Sequence, residues 1–167
     1  MDNSYVDDAL TAAERAFRDA RNQTVETGLD TTDEPVIQFR KACRLLTAAR
    51  TLQRQNGYYT VIIEVSFAAI ERSIQAFLLK RGYAEPNDLR YSHREAYNRA
   101  AEVNLFSGTF RDRLIEHWEQ NRADVYYREA PASKEQAQAM LTLASDLHRY
   151  ILDFTSLNRD CLCDSVE

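Results

Sequence analysis

An all-α fold is predicted by three features of the sequence. Only 4 glycines and 3 prolines punctuate 167 residues, too few turn residues for the many tight corners of an all-β chain. Apolar residues recur at three- and four-residue spacing rather than in alternation, the period of a helix with one buried face. The periodic segments at 33–56, 58–80, 109–127 and 133–157 are similar in length and closely connected. That pattern predicts an antiparallel, up-and-down bundle of four to five helices with an extra N-terminal helix.

Taken in order, a first helix is expected from Ser4 to about Thr27, with Val6, Leu10, Ala13 and Phe17 on one face. The stretch from Gly28 to Asp33 has turn composition, and Pro35 behind a Thr or Asp cap suits the opening of a second helix. That helix carries Val36, Phe39, Cys43, Leu46 and Ala49, and should stop near Asn56-Gly57. The third, roughly Tyr58 to Lys80, is apolar on most sides and therefore central. Its polar residues Glu64, Ser66, Glu71 and Ser73 should face inward or lie at interfaces, where they need partners.

A turn through Gly82, Pro86 and Asn87 leads to a short helix from Ser92, where Glu95 completes a capping-box spacing. A break at Ser107-Gly108 precedes a helix from about Thr109, and Pro131 closes the segment after it. Ser133 and Gln136 repeat the capping pattern before a last helix to about Leu157, striped by Met140, Leu143, Leu147, Tyr150, Ile151 and Phe154. The expected organisation is an N-terminal helix and turn packing on the bundle (1–30), the bundle (31–157) and a flexible tail (158–167).

Composition narrows the function. With 26 acidic against 21 basic residues, the net charge of -5 supplies no general field for nucleic acid, so any RNA contact needs a local patch. Three cysteines and a polar N-terminus point to a reducing cytoplasm with free thiols, and no apolar run approaches the ~20 residues of a membrane span. Cys161 and Cys163 stand one residue apart in a polar tail with no further ligand near them in sequence, so a frayed tail is expected rather than a metal or redox site. His93, His117 and His148 are scattered, none pairing at three or four residues. His93 and His117 read as solvated or structural, and His148 as the least distinctive. There is no glycine-rich phosphate loop, His-Glu-x-x-His pair or Gly-x-Ser-x-Gly elbow. Neither a metal nor a cofactor is expected.

One segment stands apart: Asn121-Arg122-Ala123-Asp124-Val125-Tyr126-Tyr127. Arg122 continues the stripe of Ile115 and Trp118, so a charge is placed where an apolar residue belongs. Tyr126 lies one helical turn further on. A guanidinium with phenols and Asp124 could clamp a phosphate and stack a base. Proton transfer would need a shifted tyrosine or a carboxylate such as Asp124 or Glu71. The competing reading is an ion pair from Arg122 to Glu64 or Glu71.

With these residues in view, the chain resembles the HEPN superfamily of helical nucleotide-binding domains over roughly residues 39 to 154. The resemblance rests on Ser66, Ala69 and Glu71 followed by Ala76-Phe77-Leu78-Leu79, on Ser92-His93, on the Arg122 segment, and on Ser133-x-Glu135-Gln136-Ala137. It implies a homodimer whose Arg segments line a shared cleft, with Arg122 and Tyr127 in catalytic positions. Asn121, Arg122, Asp124, Tyr126 and Tyr127 would contact RNA or a nucleotide, supported by Glu71 and Ser66. Tyr127 stands where active members carry histidine. The resemblance therefore implies an RNA- or nucleotide-binding subunit, a toxin or substrate-binding partner of a small nucleotidyltransferase. The alternatives are a weak metal-independent endoribonuclease and a non-catalytic helical interaction module.

Overall fold

A computed structural model describes residues 4–18, 26–90, 93–121, 131–157 and 161–163. The described residues are helical or irregular, with no strand among them. The chain divides into two compact units, 1–30 and 31–167. The first holds α1 (Ser4–Arg18). Glu26 and Thr27, expected to end this helix, lie in a turn instead: Leu29 N–H donates to Glu26 O at 2.9 Å and Gly28 takes φ 85°.

The second unit is an all-α bundle built around one helix. Its elements are α2 (Glu34–Arg54), α3 (Tyr59–Lys80), a 3-10 turn (Pro86–Arg90), α4 (His93–Glu102), α5 (Gly108–Asn121) and α6 (Lys134–Phe154). Thirteen of the 22 residues of α3 are buried, an arc far wider than one stripe, so neighbours must cover it on several sides. They do: α2, α4 and α6 pack on α3, and α5 packs on α4. The four residues joining α2 to α3 reach at most ~14 Å, against a length of ~32 Å for α2. Helices that pack along their length across so short a link must run antiparallel.

Local chemistry sets the helix ends. Asp33 is extended before α2 and Pro35 occupies the first turn, where its missing N–H costs nothing. The left-handed stop after α2 falls on Asn56 (φ 51°), one residue before the expected glycine, and Tyr58 (φ 59°) adopts the same conformation before α3. Ser107 Oγ accepts from Phe110 N–H at 3.1 Å to open α5. Ser133 and Gln136 form the reciprocal capping box of α6.

The buried face of α6 is rotated from the expected stripe. Ala137, Met140, Leu141, Ala144, Leu147, His148 and Ile151 are buried, while Tyr150 and Phe154 are exposed. The rotation follows from α6 meeting both α3 and α2, which centres its buried arc between the two. Tyr150 keeps one anchor, its hydroxyl donating to Leu105 O at 3.0 Å.

Polar groups on α3 are satisfied within the bundle. Ser66 Oγ donates to Ile62 O at 2.7 Å. Glu71 accepts from Gln75 Nε2 at 2.8 Å and its other oxygen lies 2.5 Å from His93 Nδ1. Arg72 donates to Gln75 Oε1 at 2.7 Å and to Gln38 Oε1 at 3.3 Å. No described helix is long and apolar enough to cross a membrane.

Tyr97 is fully buried, and its hydroxyl, like His93 Nδ1 despite its closeness to Glu71, makes no hydrogen bond among the described residues. Burial, and then the nearby charge of Glu71, push its ionisation well above the usual tyrosine range. Tyr97→Phe keeps the ring and removes the stranded hydroxyl, so urea unfolding should show stability unchanged or raised by about 1 kcal/mol. A loss of that size instead would mean the hydroxyl has a bond to lose.

Candidate metal centre

The bundle brings together three cysteines and one histidine from distant parts of the chain. Cys43 sits on the apolar stripe of α2, fully buried, and His148 on the buried face of α6. Leu157, also fully buried, joins Val36, Phe39, Cys43 and Ala76 in a small second core. Leu152, Cys161, Leu162 and Cys163 pack against this core, so apolar burial draws the segment after α6 back over α2. The expectation of a frayed tail is corrected at Cys161 and Cys163, which are half-buried.

The ligand atoms of these four residues all lie within 4.8 Å of one another. His148 Nε2 is 3.5 Å from Cys43 Sγ, 4.0 Å from Cys161 Sγ and 3.4 Å from Cys163 Sγ. Cys43 Sγ and Cys161 Sγ are 3.7 Å apart. A tetrahedral zinc ion with bonds of about 2.3 Å to sulfur and about 2.05 Å to nitrogen requires edges of roughly 3.8 Å between sulfurs and roughly 3.5 Å from nitrogen to sulfur. The Cys43–Cys161 edge matches the sulfur value, and His148 Nε2 lies within about 0.5 Å of the required distance from each sulfur.

The other side of the imidazole is set as a metal ligand requires. Ser73 Oγ donates its single proton to Ala69 O at 2.8 Å, and lies 2.8 Å from His148 Nδ1. With that proton engaged, the hydroxyl accepts from Nδ1–H, which leaves the Nε2 lone pair directed at the sulfurs. The Phe39 ring stacks on the imidazole at 4.3 Å and 13°, fixing its plane. Leu162 N–H donates to Cys43 Sγ at 3.4 Å, a bond that stabilises negative charge on that sulfur.

Crowding separates the three thiols. The Cys161 thiol is held far below the usual range, first by its bond with Cys163 and then by those with Cys43 and His148. The Cys163 thiol is driven far above it, first by its hydrogen bonds with Cys161 and then Cys43 and next by burial, and Cys43 is pushed up to about 11, first by its hydrogen bond with Cys161. The three thiols therefore titrate as one coupled set. A divalent cation would compensate all three sulfurs.

The residues singled out in sequence lie elsewhere. Ser66 is buried and bonded to its own helix, and Glu71 is engaged by Gln75 and His93. Asn121, buried at the end of α5, donates from Nδ2 to Glu64 Oε1 at 2.9 Å. Arg122, Asp124, Tyr126 and Tyr127 fall outside the described residues. The buried positions of α5 are Leu114 and Asn121, whereas Ile115 and Trp118 are half-buried, a phase different from the stripe drawn through Ile115. Neither His117 nor His93 is buried. His117 is exposed against Phe67, and His93 faces Glu71 with Trp118 beside it.

The cluster itself had faint traces in the sequence. Cys43 is one of the stripe residues of α2. His148 falls four residues after Ala144 and three before Ile151, inside the apolar arc of α6. Leu157 and Leu162 stand among mostly polar residues after α6, the trace of a segment that docks.

A family model described as "Domain of unknown function (DUF8154)" matches residues 1–163. No curated protein and no solved structure matches the chain. The resemblance to the HEPN superfamily is overturned: the match covering the chain is to a different family, and no HEPN model matches. Its pieces have simpler physical causes. Ser133-x-Glu135-Gln136 is the capping box of α6, and Ala76-Phe77-Leu78-Leu79 lies in the core-facing end of α3, features that any packed helical bundle shares.

Ser73→Ala should leave His148 Nδ1–H without an acceptor and cost about 1–3 kcal/mol. Urea unfolding in the presence of a chelator measures this without any contribution from metal. A change below about 0.5 kcal/mol, the usual range for neutral surface changes, would contradict the Ser73 to His148 hydrogen bond.

Proposed function

We propose that this chain, which belongs to the DUF8154 family, is a zinc-fastened structural module. One ion is held by Cys43, His148, Cys161 and Cys163. The observation that carries this reading is the spacing of His148 Nε2, 3.4 to 4.0 Å from three sulfurs, with Nδ1 already committed to Ser73. Three thiolates and an imidazole form a soft set that favours zinc over magnesium or calcium. Four protein ligands complete a tetrahedron and leave no position for water or substrate, which marks a structural ion rather than a catalytic one.

The ion would do mechanical work at a defined place. Cys43 belongs to α2, His148 to α6, and Cys161 and Cys163 to the segment beyond. Zinc joins all three and pins Leu157 and Leu162 against the second core. Among the described residues that core has five buried members, each large apolar one worth about 1.5–3 kcal/mol. A short segment held by so little apolar surface gains much from an added fastening.

Purified chain is expected to carry one zinc per molecule by elemental analysis. At free zinc about a thousandfold above Kd, the ion adds about 4 kcal/mol. Removal by chelator should then lower Tm by about 8–16 °C for a chain of this size. Ser73→Ala, which removes the orienting partner but no ligand, should weaken zinc about 10- to 100-fold. A chain that shows no zinc after expression in zinc-supplemented medium, and no Tm response to added zinc, would defeat the proposal.

A further inference from the structure

Resting on the zinc reading, we infer that the same site is a thiol switch. A peroxide-class oxidant converts Cys43 and Cys161 into a disulfide, expels the ion and leaves the C-terminal segment covalently held on α2. The geometry supplies each requirement. Cys161 and Cys163 are half-buried, within reach of a small oxidant from solvent, whereas Cys43 lies behind them, fully buried. The Cys43 and Cys161 sulfurs are 3.7 Å apart, so bond formation needs a closing movement of about 1.7 Å to the ordinary disulfide length. In the zinc-bound site all three sulfurs are thiolates, the nucleophilic form.

The chemistry balances without another participant. Cys161 Sγ attacks one peroxide oxygen, the O–O bond breaks, and hydroxide leaves and is protonated to water, giving a sulfenic acid at Cys161. Cys43 Sγ then attacks the Cys161 sulfur. The S–O bond breaks, and a second hydroxide leaves as water. Two thiolates, one peroxide and two protons become one disulfide and two waters. Each sulfur gives up one electron, both peroxide oxygens are reduced, and zinc stays divalent. The ion departs because two of its four ligands are spent, and Cys163 with His148 cannot hold it alone.

The packing decides what happens to the segment. Leu162 sits against the second core, and its N–H donates to Cys43 Sγ at 3.4 Å, so the chain on either side of the new bond is already seated on α2. Oxidation therefore exchanges a metal fastening for a covalent one. Zinc is signalled outward while the bundle stays closed.

The test uses the zinc-loaded full chain, with zinc measured before treatment, then peroxide added in increments with a chromogenic zinc chelator present. One zinc should appear per peroxide consumed. Cleavage after Lys41, Arg44 and Arg159 should yield residues 42–44 joined to residues 160–167, with fragmentation placing the bond at Cys161. Dithiothreitol followed by zinc should restore the starting mass and metal content. Absence of zinc before treatment would defeat the metal reading, and this inference with it. Zinc present at the start but released only with sulfinic or sulfonic acid, or with a Cys161–Cys163 link, overturns the switch and leaves the metal site standing.

Discussion

Burial of α3 on most of its surface is the constraint from which the rest of the structure follows. A helix with 13 of 22 residues buried cannot present its polar side chains to water, so each must be answered by a neighbour or by its own backbone. Ser66 turns back to Ile62, Glu71 is taken by Gln75 and His93, and Ser73 reaches both Ala69 and His148. The helix around which the bundle assembles therefore dictates where hydrogen-bond partners stand on α4 and α6. The candidate metal centre is one result. Ser73 fixes the orientation of His148, and the Nε2 that remains faces the sulfurs of all three cysteines in the chain.

The site is assembled across great sequence distance. Cys43 and His148 are 105 residues apart, and Cys43 and Cys161 are 118 apart. Such contacts require α2, α3 and α6 to be packed together, so the cluster is a property of the tertiary structure. The second core has the same logic at smaller scale. Leu157 and Leu162 bury apolar surface on α2 and α3, and that burial carries Cys161 and Cys163 to within bonding range of Cys43 and His148. The proposed zinc ion would act on groups that apolar burial has brought together.

Much of the fold was legible in the sequence because its signals are local. The span of α3 was expected to within one residue, the Ser133 and Gln136 box opened α6 as its spacing required, and the Val36, Phe39, Cys43, Leu46 and Ala49 stripe of α2 is buried as read. Errors arose where a neighbour, not the helix itself, chose the outcome. The buried arc of α6 turned toward the groove between α2 and α3, which exposed Tyr150 and Phe154 and buried His148. The segment after α6 looked unstructured because its polar residues outnumber its leucines, although two leucines sufficed to seat it. The family resemblance failed for a related reason: capping boxes and apolar runs express general helix physics and identify no lineage.

The sequence by itself determined that this chain is an all-α bundle with α3 at its centre, since helix period, turn chemistry and capping act over spans of a few residues. It pointed as well to Ser66, Glu71 and Ser73 as inward-facing, though not to Gln75 or His148. Only the tertiary structure decided that Cys43, His148, Cys161 and Cys163 share one site, and that Glu71 and Ser66 serve the packing of the core. The reason is physical. A ligand set is a property of distances between atoms, and distances across more than a hundred residues are fixed by how whole helices pack, through rotations of a few tens of degrees that no local pattern records.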